Sequence, residues 1–316
     1  MNKKDLRVVF MGTPIFALPP LKALCEAGIK PLAVYTQPDK INGRGKKVTF
    51  SPVKSYALEQ HIPVYQPFTF KDETEETRLK ELAPDLIVVI AYGRILPQNI
   101  LDIPVYGAIN IHASLLPAYR GAAPVQRAII DEASETGVSL MHLDAGMDTG
   151  PVISEVRLPL SDTVTAGELL EILSEAGARE LLRILDNLPE ALAKAHPQDE
   201  EKATYAEKLN KEMGRMDWTK PAHTLCALAR GMYPNPGTYT FFRGKRVKIH
   251  HTILDKETAS DALPGTIVSL EGGILWTATG DGILGISELQ PENKKRMKAS
   301  DFINGHQVHV HDSFDK

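Results

Sequence analysis

Cysteine is nearly absent from this chain: Cys25 and Cys226, far apart in the sequence, are the only two in 316 residues. A distant pair of thiols builds neither a disulfide framework nor a cysteine metal site, so stability must come from a packed interior, and a reducing cytosol is the expected compartment. Long apolar runs are missing as well. The first of any strength, Val8 to Met11, lies between Arg7 and Gly12; it is too short for a signal segment or a membrane span and reads as a buried strand. Charge of one sign is also scarce, the net charge being -4, which argues against a surface given over wholly to a polyanion. A fourth absence concerns nucleotides. The turn after the first strand, Gly12-Thr13-Pro14, lacks the glycines that let backbone approach a pyrophosphate, and Gly43-Arg44-Gly45 lies in a polar loop. Both facts argue against a dinucleotide site.

What is present is a globular composition, 43% hydrophobic and 24% charged, in a chain longer than one core usually serves. Residues 1–189 alternate strand and helix patterns. Leu6 to Met11, Leu32 to Tyr35, Pro63 to Tyr65, Leu86 to Ile90, Ala108 to His112, Val138 to Leu143 and Val152 to Leu158 read as strands. The continuous β-branched run Leu86-Ile87-Val88-Val89-Ile90 suits the centre of a parallel sheet covered on both faces. A long amphipathic helix over Thr165 to Leu188 closes this first domain, which is α/β and Rossmann-like in plan. Residues 190–208, with no apolar period and the charge run Asp199-Glu200-Glu201, read as a linker. Residues 209–316 open with a helix around Leu209 to Met213 and a second over Ala222 to Gly231. Five short strands separated by glycine turns follow, the pattern of a small OB-like β-barrel.

Charge is unevenly spread over these three stretches, at -4, -2 and +2 in order. Bases gather at Lys40, Arg44, Lys46 and Lys47, at Arg243 to Lys248, and at Lys294 to Lys298. One such run is usually a solvated face; three in separate loops or hairpins make a footprint for a polyanion. The connection from Gln37 to Pro52, which carries the first run, is long enough to imply a functional or mobile loop. His309 and His311 share a face of any strand but have no third ligand in view, so a solvated tail is the reading. Trp218 reads as core. Tyr239, Phe241 and Phe242 are able to stack on bases, although alternate strand residues usually pack inward.

The chemistry is concentrated in Asn110-Ile111-His112-Ala113-Ser114-Leu115-Leu116-Pro117 and in Asp144-Ala145-Gly146-Met147-Asp148-Thr149-Gly150. Residues two apart on a strand share a face, so Asn110 and His112 present an amide donor and an imidazole side by side. An amide stabilises a developing oxyanion, an imidazole moves protons near neutral pH, and a carboxylate orients the imidazole. The interval from His112 to Asp148 accommodates one βαβ crossover, which would return Asp148 to the strand edge that bears His112.

These motifs, with Arg120-Gly121-Ala122-Ala123-Pro124, resemble the 10-formyltetrahydrofolate-dependent formyltransferases. The likeness extends along nearly the whole chain through MGTPIFA (11–17), PDKINGRGKK (38–47), SPVK (51–54), TYAEKLNKE (204–212), MDW (216–218) and LQPENKKRM (289–297). Met11, Ala118-Tyr119 and Pro151 depart from the usual pattern without touching Asn110, His112 or Asp148. The resemblance implies that these three form the catalytic trio. It also implies that Ser114, Leu115, Leu116 and Pro117 line the folate site, with Arg94, Ile95 and Leu96 at the pterin ring. Arg44, with Lys46 and Lys47 in the same loop, is implied to meet the acceptor end of a tRNA. The expected co-substrate is 10-formyltetrahydrofolate, the expected acceptor the initiator methionyl-tRNA, and no metal or membrane is implied; a monomer is the expected state. The rivals are a formyltransferase acting on a nucleotide-linked amino sugar, a hydrolase releasing formate, and a folate or RNA binding module without turnover.

Overall fold

The computed structural model describes residues 3–42, 47–255 and 260–315, with the backbone alone for residues 40–42 and 47. The chain packs into two compact units. Met1–Pro124, Glu135–Leu158 and Leu170–Ala206 form the first; Val125–Ser134, Pro159–Leu169 and Glu207–Lys316 form the second.

The first unit is built on a seven-stranded sheet in the order Val152–Pro159, Glu135–His142, Ala108–His112, Leu86–Ile90, Val8–Gly12, Ala33–Tyr35 and Val64–Tyr65. From Ala108–His112 to Val64–Tyr65 every neighbouring pair is parallel. Val8–Gly12, Leu86–Ile90 and Ala108–His112 are buried at all five positions. That is why the first two read as unbroken apolar runs, a strand covered on both faces having no polar side to alternate with, while Ala108–His112 buries Asn110 and His112 as well.

One expectation is corrected here. Glu135–His142 runs antiparallel to Ala108–His112, with Ile109 opposite His142 and His112 opposite Ser139, so no βαβ crossover carries the chain from His112 to Asp148. The strand instead ends beside Ile109, and the following loop doubles back to bring Asp148 to the face that holds Asn110 and His112.

Two other segments are more ordered than their composition implies. The connection after Gln37 forms a hairpin, Lys40–Asn42 against Lys47–Thr49. Its base is tied by Lys54 Nζ to Asp39 Oδ2 at 2.5 Å and to Gln66 Oε1 at 2.7 Å, while Gln66 Nε2 donates to Gln37 O at 2.8 Å. Residues 190–208, read above as a linker, hold the end of a short helix, Leu188–Ala193, a 3-10 turn, Glu200–Lys202, and the strand Tyr205–Ala206, which pairs in parallel with Arg120–Gly121.

In the second unit a six-stranded antiparallel sheet runs Thr238–Phe242, Lys245–Asp255, Ile283–Pro291, Leu275–Ala278, Ile267–Ser269, with Met297–Lys298 beside Ile283–Pro291. Register shifts between Ile249 and Thr252 bend the longest strand and help to curl the sheet into a half-barrel. The gap between its first strand and the Ile267 edge is spanned by the tail, through bridges Phe242 to Phe314 and Thr266 to Ser313. Thr238, Thr240 and Phe242 point inward while Tyr239 and Phe241 lie on the other face, so of the three candidate stacking aromatics only Phe242 is core. The helix expected around Leu209 to Met213 is a single 3-10 turn, Glu212–Gly214. No helix among the described residues is long and apolar enough to cross a membrane.

Trp218 stacks on Phe314 with ring centroids 5.3 Å apart and donates from its indole to Thr240 Oγ1 at 3.0 Å. Phe314 also meets Phe242 at 5.7 Å. Removing the ring of a residue so enclosed leaves a cavity at the seam of the half-barrel. Phe314→Ala is therefore expected to destabilise the second unit by about 3 kcal/mol, measured as a drop in its urea midpoint.

Candidate active site

Strand periodicity places Asn110 and His112 on one face of Ala108–His112, where Asn110 is 9% and His112 6% exposed. Met141 and Ser139 are their cross-strand partners. Asp148 approaches from the loop over this face. Its Oδ1 lies 3.5 Å from Asn110 Nδ2, its Oδ2 3.7 Å from His112 Nδ1, and the backbone N–H of Gly121 donates to Oδ2 at 2.8 Å. The three residues expected to act together are thus brought together, the carboxylate taking its shortest bond from a main-chain donor and only a long one from Asn110.

Hydrogen-bond chemistry fixes the state of the imidazole. His112 Nε2 lies 2.9 Å from the carbonyl oxygen of Tyr119. A carbonyl only accepts, so Nε2 carries the proton, and Nδ1 is the nitrogen that faces Asp148. Nδ1 presents a lone pair in the neutral ring and a donor in the imidazolium.

Local sequence explains how the loop reaches this face. Asp144 Oδ1 accepts from the Gly146 N–H at 3.0 Å and the Thr149 hydroxyl at 2.8 Å, closing an Asx-type turn. Asp148 itself adopts a left-handed backbone, φ 56°, a conformation uncommon for L-residues that Asp adopts more readily than most. At Gly150 a Cβ atom would stand 1.9 Å from His142 O, so only glycine lets the loop return so close to the strand.

A second layer lies behind the trio. Arg120 is fully buried and donates from Nη1 and Nη2 to Glu200 at 2.9 and 2.7 Å, and from Nε and Nη2 to Gln198 Oε1 at 3.0 and 2.8 Å. These bonds hold the Glu200 carboxyl below its usual range. Gln198 Nε2 in turn donates to the carbonyls of Asp148 at 2.8 Å and Gly150 at 2.7 Å. The sequence gives no signal for Gln198, and Glu200 figures there only in the charge run of the linker.

Ser114 is buried, its hydroxyl donating to Ala118 O at 2.6 Å, and its carbonyl accepts from Ser139 Oγ at 2.8 Å. Leu116 packs with Met141 and Val152, while Leu115 and Pro117 are half-buried. Arg94 donates to Phe68 O, which sets the 80% exposed Ile95 and the 79% exposed Phe68 on neighbouring segments; Leu96 is buried. Phe68 is an exposed aromatic that the sequence reading passed over. Arg44 and Lys46 lie outside the described residues, and Lys47 is placed by its backbone alone, in the hairpin. Among the described residues no group of three His, Cys, Asp or Glu is arranged to hold a metal ion.

A family model described as Formyl transferase matches residues 6–185, and one described as Formyl transferase, C-terminal domain, matches residues 208–307. Methionyl-tRNA formyltransferase of Clostridium perfringens (strain 13 / Type A) is 44% identical over 307 residues, 96% of this chain and 98% of that protein. That of Methylococcus capsulatus is 45% identical over 302 residues, 95% and 97% of the two chains. Among solved structures, an N-formyltransferase from Helicobacter canadensis in complex with folinic acid and dTDP-3-aminofucose superposes with a TM-score of 0.68 at 19% identity, over 91% of this chain and all of that one. HypX from Aquifex aeolicus in complex with tetrahydrofolic acid does so at 0.65 and 18%, over 96% of this chain, which spans only 48% of HypX. At such identities the two structures speak for the fold alone.

The close approach at Gly150 makes a local test of the loop. Gly150→Ala is expected to cost about 1 to 3 kcal/mol, because backbone rather than a side-chain tip must give way; equilibrium urea unfolding of the first unit reads it.

Proposed function

The chain belongs to the formyltransferase family, and from that membership we propose that it transfers the formyl group of 10-formyltetrahydrofolate to the α-amino group of methionyl-initiator-tRNA. The observation that carries the reading is the meeting of Asn110, His112 and Asp148 on one buried face, within a chain similar over nearly its full length to methionyl-tRNA formyltransferases. The reaction belongs to the cytoplasm, where thiols such as the free Cys25 and Cys226 persist.

In this reading the amine nitrogen attacks the formyl carbon, a C–N bond forms, and the carbonyl oxygen becomes an oxyanion. Asn110 Nδ2 donates to it. His112 donates from Nδ1, which requires the imidazolium because Nε2 is committed to Tyr119 O. Asp148, whose Oδ2 lies 3.7 Å from Nδ1, accepts the proton shed by the attacking amine through a water. Collapse of the intermediate breaks the bond to N10, which gains a proton, and releases the formylated amine. Exposed Ile95 and buried Leu96 offer an apolar edge to the pterin ring, and Ser114 to Pro117 shape the wall next to the trio. The basic run of Lys40, Arg44, Lys46 and Lys47 and residues 209–316, with their net charge of +2, take the tRNA.

Incubation with formyltetrahydrofolate and charged initiator tRNA is expected to yield formylmethionine on the RNA. Asn110→Ala lowers its turnover by roughly 10²- to 10³-fold, the usual loss for one oxyanion donor; near-normal turnover in the folded variant would remove Asn110 from the trio.

Affinity for the tRNA falls with salt on a log-log slope of about -0.7 to -0.9 per phosphate contacted. Arg44→Ala weakens tRNA use and reduces that slope by about one while sparing folate binding. A flat salt response favours a small acceptor such as an amino sugar.

A further inference from the structure

Resting on the reading just given, we propose that residues 198–206 form a strap that positions Asp148, with Gln198 as its working side chain. The strap reaches the trio by three routes. Gln198 Nε2 donates to the carbonyl oxygens of Asp148 and Gly150, the two ends of the turn in which Asp148 holds its left-handed backbone. Thr204 accepts, at its carbonyl, the Arg120 N–H at 2.8 Å and, at its hydroxyl, the Tyr119 N–H at 2.8 Å. Tyr205–Ala206 pairs with Arg120–Gly121. The last two routes fix the segment whose Tyr119 carbonyl accepts from His112 and whose Gly121 N–H donates to Asp148.

The orientation of the Gln198 amide is set by its surroundings. Arg120 only donates, so the Oε1 atom must face the guanidinium, and the –NH2 must face the two carbonyls. Arg120 is itself fully buried and held by Glu200. The amide is thus a spacer of fixed polarity between a buried cation and the loop of Asp148.

Such an arrangement predicts a loss in turnover rather than in binding. Gln198 is a positioning residue: it acts on the placement of the Asp148 carboxylate, and a displacement of about 1 Å at a reacting group costs up to 10²-fold in rate. Gln198→Glu separates its two faces. The carboxylate keeps the length of the side chain and an acceptor for Arg120, but it has no N–H for the carbonyls of Asp148 and Gly150.

The experiment compares wild type, Gln198→Glu, Asp148→Asn and the double variant in formylation of methionyl-tRNA, with urea unfolding of each. The expected result is a roughly 10- to 100-fold fall in kcat for Gln198→Glu, KM for tRNA and for the folate within twofold of wild type, and an unchanged unfolding midpoint. In the Asp148→Asn background, Gln198→Glu costs nothing more, because the group it places is already disabled. An unchanged kcat in Gln198→Glu overturns the strap while leaving the functional reading intact. So does a loss that multiplies with that of Asp148→Asn or that follows a lowered unfolding midpoint. A wild-type protein that formylates no methionyl-tRNA overturns both.

Discussion

A carboxylate has to be held against two side chains of a buried strand, and the energy for holding it comes from the main chain. Asp148 receives its shortest bond from the Gly121 N–H, not from Asn110 or His112. Much else in the first unit follows from this. Gly121 must be presented at a fixed height, so Arg120–Gly121 is paired with Tyr205–Ala206. The Asp148 turn must double back over the sheet, so Gly150 passes too near His142 for any side chain. At 3.5 Å the Asn110 amide bonds the carboxylate only weakly, and at 3.7 Å His112 Nδ1 lies beyond a hydrogen bond; a donor saturated in the resting protein has little left to offer a transition state.

Parts of this were legible in the sequence for physical reasons. Leu86–Ile90 announces a doubly covered strand because burial on both faces removes alternation. Asn110 and His112 share a face because the strand period is two. The direction of Glu135–His142 was not legible: a strand's residues record how buried it is, while its sense is decided by pairing with Ala108–His112 across the sheet. The role of residues 198–206 was hidden for a related reason. These residues bind through polar side chains and a two-residue ladder to partners some eighty positions away, and such bonds leave no hydrophobic period to read. The hairpin at Lys40–Asn42 and Lys47–Thr49 was likewise masked by its brevity and its basic composition.

The second unit solves a different problem. A curled sheet with free edges invites pairing with other chains, and here the tail from Ser313 to Phe314 bridges both the first strand and the Ile267 edge. Trp218 and Phe314 stack beneath that seam, which makes two segments distant in sequence, MDW and the C-terminal tail, parts of one closure. The outer face is left with Tyr239 under the guanidinium of Arg246, 3.7 Å from the ring centroid, an arrangement that keeps a half-buried ring and a cation in register.

The Tyr119 carbonyl has a consequence for the direction of proton flow. With Nε2 tied to an acceptor that has no proton to give or take, the imidazole has a single open port. A ring with two open nitrogens passes a proton in on one side and out on the other; this one must discharge and reload through the same atom, Nδ1. Histidine here behaves as a terminal rather than a wire, and any path that carries a proton onward to solvent must branch off at the carboxylate in front of it.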